Sequence, residues 1–284
     1  MILIADSGST KTSWHLVKDG NVRTTFSSEG YNPCYMKKEA ITRSLKKQLP
    51  ENYAWEQVKE IAFYGAGCYE DKYTVIQEAM RPLFPQARIF VAMDLLASAR
   101  ALLGNQPGFA AILGTGTNSC LYDGRQITHN IDSLGFMLGD EGSGAYIGKR
   151  LIGDFIRGYM PEDIQQTFRE TYRLTADELI DRIYLGENPN RYCAGFTRFI
   201  SGYGRKNEYL DSVVYEAFTD FFNNIVCGYP SFSDYTFNCV GNIGWIFKDT
   251  LVRVAEKFRM KTGKIISEPM EGLIEYHKLP NSAT

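Results

Sequence analysis

The 284-residue chain has no apolar run approaching the roughly 20 residues needed to cross a bilayer. Its first residues read as a strand rather than a charged and then greasy leader, so the expectation is a cytoplasmic protein without membrane association. A formal net charge of -2 leaves no broad basic field for a nucleic-acid backbone, which argues against a nucleic-acid partner. The six cysteines, Cys34, Cys68, Cys120, Cys193, Cys227 and Cys239, lack the close pairing of a zinc or iron–sulfur site and read as reduced thiols. The three histidines, His15, His129 and His277, share no ligand spacing and read as structural. Low-complexity segments and long linkers are also missing. The tyrosine- and phenylalanine-rich aromatic content reads as packing, and Arg43-Ser44-Leu45-Lys46-Lys47 as the solvated face of a helix.

What is present is a motif used twice. Asp6-Ser7-Gly8-Ser9-Thr10-Lys11 follows the apolar run Met1 to Ala5, and the chain resumes as Thr12 to Val17 before Asp19-Gly20. Gly114-Thr115-Gly116-Thr117-Asn118 follows Phe109 to Leu113, and the chain continues through Ser119 to Tyr122 before Asp123-Gly124. An Asp-Gly pair between such segments signals a hairpin, because type I′ turns need positive φ at both central residues. A glycine-rich turn admits phosphate oxygens close to backbone N–H groups. Taken singly each turn is equally an ordinary tight hairpin; as a matched pair they point to a duplicated, two-lobed phosphotransfer fold that grips a nucleotide.

Length and a 44% hydrophobic content suffice for two compact cores. Strands are expected at 61–64 and 89–92, with a helix over 73–80 that stops before Pro82. This alternation is α/β of the doubly wound kind. Pro and Gly cluster at 104–108 and mark a boundary. From Ser143 to about Phe222 the pattern is mostly helical, with breaks at Pro161, Pro189 and Gly202-Tyr203-Gly204. Strand character returns at 237–240, followed by an amphipathic stretch from Trp245 to Met260, a strand at 264–267 and a helix from near Pro269.

Two aspartates stand at strand ends. Asp6 is either a magnesium ligand acting through water or an Asx-type cap on its turn. Asp94 is either the N-cap of the helix over 95–103 or a base placed where two lobes meet.

The motifs resemble those of the N-acetylglucosamine kinase and BadF/BadG/BcrA/BcrD-type ATPase family, a branch of the acetate and sugar kinase, heat-shock ATPase and actin superfamily. The resemblance spans nearly the whole chain. It rests on Asp6 to Lys11, Gly30-Tyr31-Asn32-Pro33, Asp94 before a helix rich in small residues, Gly114 to Asn118, the segment Gly135 to Ser143 with its Gly-Asp-Glu-Gly-Ser, and Val240-Gly241-Asn242-Ile243-Gly244. The implied fold is α/β: two lobes of the ribonuclease H-like actin/hexokinase type, with duplicated mixed sheets flanked by helices and the nucleotide in the interlobe cleft. The implied N-terminal lobe spans 1–107, with the C-terminal helix 269–284 a candidate to complete it, and the C-terminal lobe spans 108–268.

The resemblance further implies ATP and Mg2+ as cofactors and a small-molecule sugar as partner. Ser7, Gly8, Ser9, Thr10 and Lys11 would hold the β- and γ-phosphates, with Asp6 near the magnesium. Thr115 would contact phosphate, and Gly241 and Asn242 would seat the adenosine. Asp94 would be the catalytic base, and Asn32, Gly116, Thr117, Asn118 and Asp140 would hold the sugar. Asp140 is alternatively a cap on the helix entering at Ala145. The expected activity is phosphorylation of an amino sugar, N-acetylglucosamine at its 6-hydroxyl. The alternatives are a BadF-type activating ATPase, which the scattered cysteines disfavour, and a non-catalytic sugar or nucleotide sensor. Family members often dimerise, so a homodimer is a further expectation. Two features depart from the family's sugar kinases: Leu134 stands where they carry tryptophan, and the adenosine turn reads Gly-Asn-Ile-Gly rather than Gly-Gly-Ser.

Overall fold

Two five-stranded sheets with the same connectivity organise the chain. The computed structural model describes residues 1–8, 11–69, 72–204 and 206–279. Ser9 and Thr10 of the first expected phosphate turn lie outside the described residues. The first sheet holds β1 (Ile2–Ser7), β2 (Lys11–Lys18), β3 (Asn21–Glu29), β4 (Glu60–Gly65) and β5 (Arg88–Met93), in the order β3-β2-β1-β4-β5. The second holds β6 (Gly108–Leu113), β7 (Thr117–Tyr122), β8 (Ile127–His129), β9 (Thr236–Val240) and β10 (Lys261–Ile266), in the order β10-β9-β6-β7-β8. In each, an antiparallel three-strand meander is extended by two parallel strands. The duplicated mixed sheet is therefore present, and β1 to β5 correspond in turn to β6 to β10.

By compactness the chain divides into a unit of residues 1–106, 124–126 and 269–284 and a unit of residues 107–123 and 127–268. In the first unit both faces of the sheet are covered, as expected where crossover helices flank parallel strands. Leu3, Ala5, Phe63 and Trp14 pack with Ile41, Leu45, Ile76 and Met80 of the helices Lys38–Gln48 and Lys72–Met80. Ile4, Ala62 and Tyr64 on the other face meet Ala97 and Ala101 of the helix Asp94–Leu103, and Leu273 and Ile274 of the helix Met270–Lys278. Arg43, Lys46 and Lys47 are exposed on their helix, while Leu45 is buried.

In the second unit Phe109, Ala111 and Cys239 pack with Phe218, Phe221 and Phe222 of the helix Glu208–Asn224 and Leu251 and Val254 of the helix Lys248–Lys257. Between β8 and β9 a helical insertion forms its own core around Leu151, Phe155, Phe168 and Phe196. Pro161 and Pro189 stand at helix starts, where a missing N–H costs nothing.

Some local expectations change. Asp19 and Gly20 take φ of 52° and 73°, as a type I′ turn requires, and Lys18 pairs with Asn21 across them. The second hairpin differs: Tyr122 pairs with Ile127, so the loop is four residues long and the Asp123-Gly124 pair does not form a two-residue turn. The amphipathic stretch expected from Trp245 is two helices, Asn242–Ile246 and Lys248–Lys257, broken where Phe247 takes φ -104° and ψ 31°. The strand expected at 264–267 begins earlier, at Lys261, with a register shift between Thr262 and Ile265.

Candidate functional site

The parallel strands β1, β4 and β5 end level with one another: Asp6 is opposite Tyr64, Ser7 opposite Gly65, and Gly65 opposite Met93. Asp6 and Asp94 thus stand at the carboxyl ends of two strands separated by β4, the edge where ligands bind in open α/β sheets. Asp94 is the first residue of its helix rather than the N-cap, since Met93 holds the extended cap geometry. One Asp94 carboxylate oxygen accepts the Leu95 N–H at 2.9 Å. Burial pushes the Asp94 carboxyl above its ordinary range, and hydrogen bonds from the Leu95 and Asp94 amides pull less strongly the other way. A carboxylate with a raised pKa is a better proton acceptor, which suits general-base work.

Ser7 is fully buried. Its hydroxyl lies 2.8 Å from the Thr12 hydroxyl and accepts the Tyr31 N–H at 3.0 Å, so it ties the end of β1 to β2 and to the 30–31 segment. The turn itself closes by the Gly8 N–H donating to the Lys11 carbonyl at 3.0 Å, and both residues are exposed.

Asn32 follows Tyr31 and is half-buried. Its Oδ1 accepts the Cys34 N–H at 2.9 Å and abuts Gly67 in the loop after β4. The Cys34 thiol reaches the Gly67 carbonyl at 3.7 Å. Cys68 beside it is buried, and its thiol is pushed up to about 12, chiefly by burial and further by the charge of Asp94 and by Cys34. The first unit therefore brings Asn32, the 65–68 loop and Asp94 into one neighbourhood.

In the second unit the turn after β6 is stitched to three other segments. Gly114 N–H donates to the Gly116 carbonyl at 3.0 Å. The carbonyls of Gly114 and Thr115 accept the Gly144 and Ala145 N–H groups at 2.8 and 3.1 Å, so the first turn of the helix Gly144–Arg157 is satisfied by the glycine turn. A Cβ at Gly241 would lie 2.4 Å from the Leu113 carbonyl oxygen, and Gly241 has φ 126°, so only glycine lets β9 end against β6 in this way. Asp140 supplies the third tie: its Oδ1 accepts the Thr117 N–H at 3.1 Å.

Asp140 does not cap the following helix. Ser143 does, accepting the Tyr146 N–H at 3.1 Å, while Asp140 takes a left-handed backbone at φ 59°. Burial raises the Asp140 carboxyl above its ordinary range; hydrogen bonds from the Thr117 amide and the Ser133 side chain, and the Lys149 charge, oppose this. Thr117 is buried and donates its hydroxyl to the Glu141 carbonyl at 2.7 Å. Asn118 Oδ1 accepts from the Asn130 side chain at 2.9 Å, which orients its amide. Thr115, Gly116, Thr117, Asn118, Asp140 and Gly241 thus form one cluster, with Asn242 exposed at the start of the next helix.

A cavity of about 650 Å³ lies in the same unit, lined by Ile246 and Phe247 beyond Asn242, by Thr250, and by Asn207, Leu210 and Val214. Its size and mixed walls suit a small organic group. Among the described residues no group of three or more His, Cys, Asp or Glu is arranged to hold a metal.

Several residues of these clusters escape a reading of the sequence. Gly67 gave a signal, as part of Gly65-Ala66-Gly67 after a strand. Thr12, Asn130, Ser133 and Lys149 gave none, because the partners that tie them into the clusters are 5 to 13 residues away in the chain and are met only through sheet pairing and helix docking.

No protein-family model matches the chain, and no curated protein matches it. Solved structures do. A Porphyromonas gingivalis protein with the provisional name N-acetylglucosamine kinase is 39% identical, with 98% of each chain covered and a TM-score of 0.93. A Chromobacterium violaceum protein of the same provisional name reaches a TM-score of 0.75 at 18% identity, covering 97% of this chain and 98% of that one. A ROK family glucokinase from Streptomyces griseus, in complex with glucose and AMPPNP, shares the fold at a TM-score of 0.56 and 12% identity, over 99% of this chain and 100% of that one. The second and third show the fold, while the first shows kinship along nearly the full length. The chain belongs to the N-acetylglucosamine kinase family of sugar kinases.

Proposed function

We propose that this chain transfers the γ-phosphoryl group of ATP to an amino sugar, N-acetylglucosamine at its 6-hydroxyl. The observation that carries the reading is Asp94: a carboxylate whose pKa is raised by burial, at the carboxyl end of β5, in the same unit as the Gly8 turn and Asn32. Family membership supplies the reaction class, and the aspartate supplies the group that reaction needs.

The residues fit the nucleotide and the metal. The backbone at Gly8, Gly114 and Gly116 has no side chain to block a phosphate oxygen. Gly241, against the end of β6, leads through Asn242 to the cavity whose lining includes Ile246, Phe247 and Thr250 together with the charged Asp211, Asp249 and Arg253, which offers room for a base between apolar and polar side chains. Asp6 is a single carboxylate at a strand end, and magnesium commonly takes only one or two protein carboxylates while keeping its waters. When bound, Mg-ATP supplies the phosphoryl group and the neutralising charge that transfer requires.

Gly8 and Lys11, with Ser9 and Thr10 of the same turn, hold the β- and γ-phosphates in this reading, and Thr115 contacts them from the matching turn. Ser7 keeps the first turn in shape through Thr12 and Tyr31. Asn32, Asn118 and Asp140, with the backbone at Gly116 and Thr117, hold the sugar hydroxyls. Asp94 accepts the proton of the attacking hydroxyl as its oxygen bonds to phosphorus and the bond from phosphorus to the bridging oxygen of ADP breaks. Alignment and charge do the rest, since phosphoryl transfer asks little covalent chemistry of the protein.

The test is ADP release from Mg-ATP across hexoses and N-acetylated amino sugars with a no-sugar control, followed by phosphorus NMR of the product. Strong stimulation by N-acetylglucosamine and a 6-phosphate product are expected; turnover that no sugar stimulates would overturn the reading.

A further inference from the structure

The segment carrying Asp140 is held in an uncommon conformation. Leu134, Gly135, Asp140 and Gly142 all have left-handed backbones, at φ 58°, 66°, 59° and 77°. For a leucine or an aspartate such a backbone costs about 1–2 kcal/mol and persists only where the surroundings enforce it. Apolar burial enforces little here, because Leu134, Met137 and Leu138 are 60%, 78% and 79% exposed. The hydrogen bonds from Leu134 to Asp132, Gly139 to Gly135 and Asp140 to Ser133 all close within the segment. They shape it without fixing it to the body of its unit.

At its far end the segment is tied to β7 by the Thr117 amide and hydroxyl, which bond Asp140 and Glu141; the ties at its near end meet at Phe136. Its ring packs on the helical core around Leu151 and Phe155. Lys149, one turn into the helix Gly144–Arg157, donates its ammonium to the Phe136 carbonyl. The same ammonium lies 4.7 Å from the centroid of the Phe136 ring and 5.8 Å from that of Tyr146. Lys149 therefore grips one residue twice, through a charge-assisted hydrogen bond and through the face of the ring. Its half-buried stem docks it to the helix that the Gly114 turn satisfies at its start.

We propose that Lys149 is a positioning residue for sugar binding: by holding Phe136 it fixes residues 133–140, so that the Asp140 carboxylate stays seated on the Thr117 amide in the geometry the sugar meets. The inference rests on the assignment of Asp140 to the sugar. Nothing in it requires Lys149 to touch substrate.

The experiment compares Lys149→Met, which keeps the stem and loses the donor and the charge, with Lys149→Arg, which retains both. In Lys149→Met the KM for N-acetylglucosamine rises about tenfold, the scale of losing one charged hydrogen bond, while kcat and the KM for Mg-ATP move less than about twofold. Lys149→Arg restores most of the sugar KM. Hydrogen exchange without sugar reads the tether directly: the Gly139 and Asp140 amides exchange faster in Lys149→Met, and those of β6 do not. Unchanged exchange at Gly139 and Asp140 overturns the tether, as does a loss spread evenly over kcat and both KM values. A wild-type protein that no sugar stimulates, with the exchange difference intact, overturns the kinase reading instead.

Discussion

Gly67 and Asn32 share a boundary with no room for a further atom: a Cβ on Gly67 would lie 2.4 Å from Asn32 Oδ1 and 2.9 Å from its carboxamide carbon. Gly67 also has φ 75°. The loop after β4 is thus the surface against which the Asn32 side chain is set. Gly67→Ala displaces that side chain and adds backbone strain of about 1–2 kcal/mol. The expected outcome is a sugar KM raised about tenfold, a smaller change in the KM for Mg-ATP, and a melting temperature lower by a few degrees. Steady-state kinetics in both substrates and a thermal melt check it.

Asp94→Asn keeps the size of the side chain, and its amide oxygen still accepts the Leu95 N–H, so the protein folds. Removing the proton acceptor lowers kcat by about 10²–10⁴-fold, with sugar and ATP binding retained. Since the Asp94 carboxyl is raised, the activity of the unaltered protein falls as pH drops through a value above the ordinary aspartate 3.8. Turnover in Asp94→Asn equal to that of the parent protein would remove Asp94 from the base role.

Asp140 separates a binding role from a folding role. Asparagine tolerates a left-handed backbone and keeps an oxygen for the Thr117 amide, so Asp140→Asn is expected to melt near the parent protein while binding sugar more weakly. Alanine loses the hydrogen bond and strains at φ 59°, so Asp140→Ala lowers stability by about 1–3 kcal/mol as well. In both variants sugar affinity falls more than ATP affinity; calorimetric titration with each ligand shows the order, and the reverse order would move Asp140 out of the sugar site.

His277 gives a pH dependence of stability. Its Nε2 lies 2.9 Å from the Tyr64 hydroxyl, which accepts from Arg100 at 2.8 Å. Burial, and then the Arg100 charge, lower the imidazole from 6.5 to about 4. The folded protein thus favours the neutral ring, while the unfolded chain takes up a proton as pH falls through 6.5. Stability present above pH 6.5 is lost as pH falls from there toward about 4, by about 3 kcal/mol at most. His277→Gln, which can still meet the Tyr64 hydroxyl, is expected to flatten that slope in denaturant titrations between pH 7 and 4.5; an unchanged slope would contradict the assignment.

Much of this molecule is written in short-range pattern. The apolar runs at β1, β4, β5, β6 and β9 are visible because fully buried strands leave little polar alternation. The Asp19-Gly20 turn is visible because its dihedral requirement selects those residues. The matched glycine turns, in matching contexts, announce the duplication that the two sheets display. The order of the motifs is what placed the chain in its family.

Other features depend on neighbours distant in sequence. Asp123-Gly124 carries the same turn signal as Asp19-Gly20, yet the register of Tyr122 on Ile127 makes a four-residue loop there. Asp140 and Ser143 are both competent caps by type; the left-handed backbone at Asp140 sends its carboxylate to Thr117 and leaves the cap to Ser143. Ser7 is named by its place in the glycine turn, and its burial and its bond to the Tyr31 N–H follow only from the fold. Lys149 is one more charged residue on a helix until that helix docks beside Phe136.

The sequence by itself determined the duplicated strand–turn–strand frame, the helical insertion of the second unit and the residue types available for phosphoryl transfer, because each follows from local periodicity and turn chemistry. Only the tertiary structure decided which of those residues are buried in hydrogen-bonded clusters between distant segments and which lie at strand ends. Hydrogen-bond partnership and burial are settled between segments brought together by sheet pairing and helix packing, and residue identity alone does not encode them.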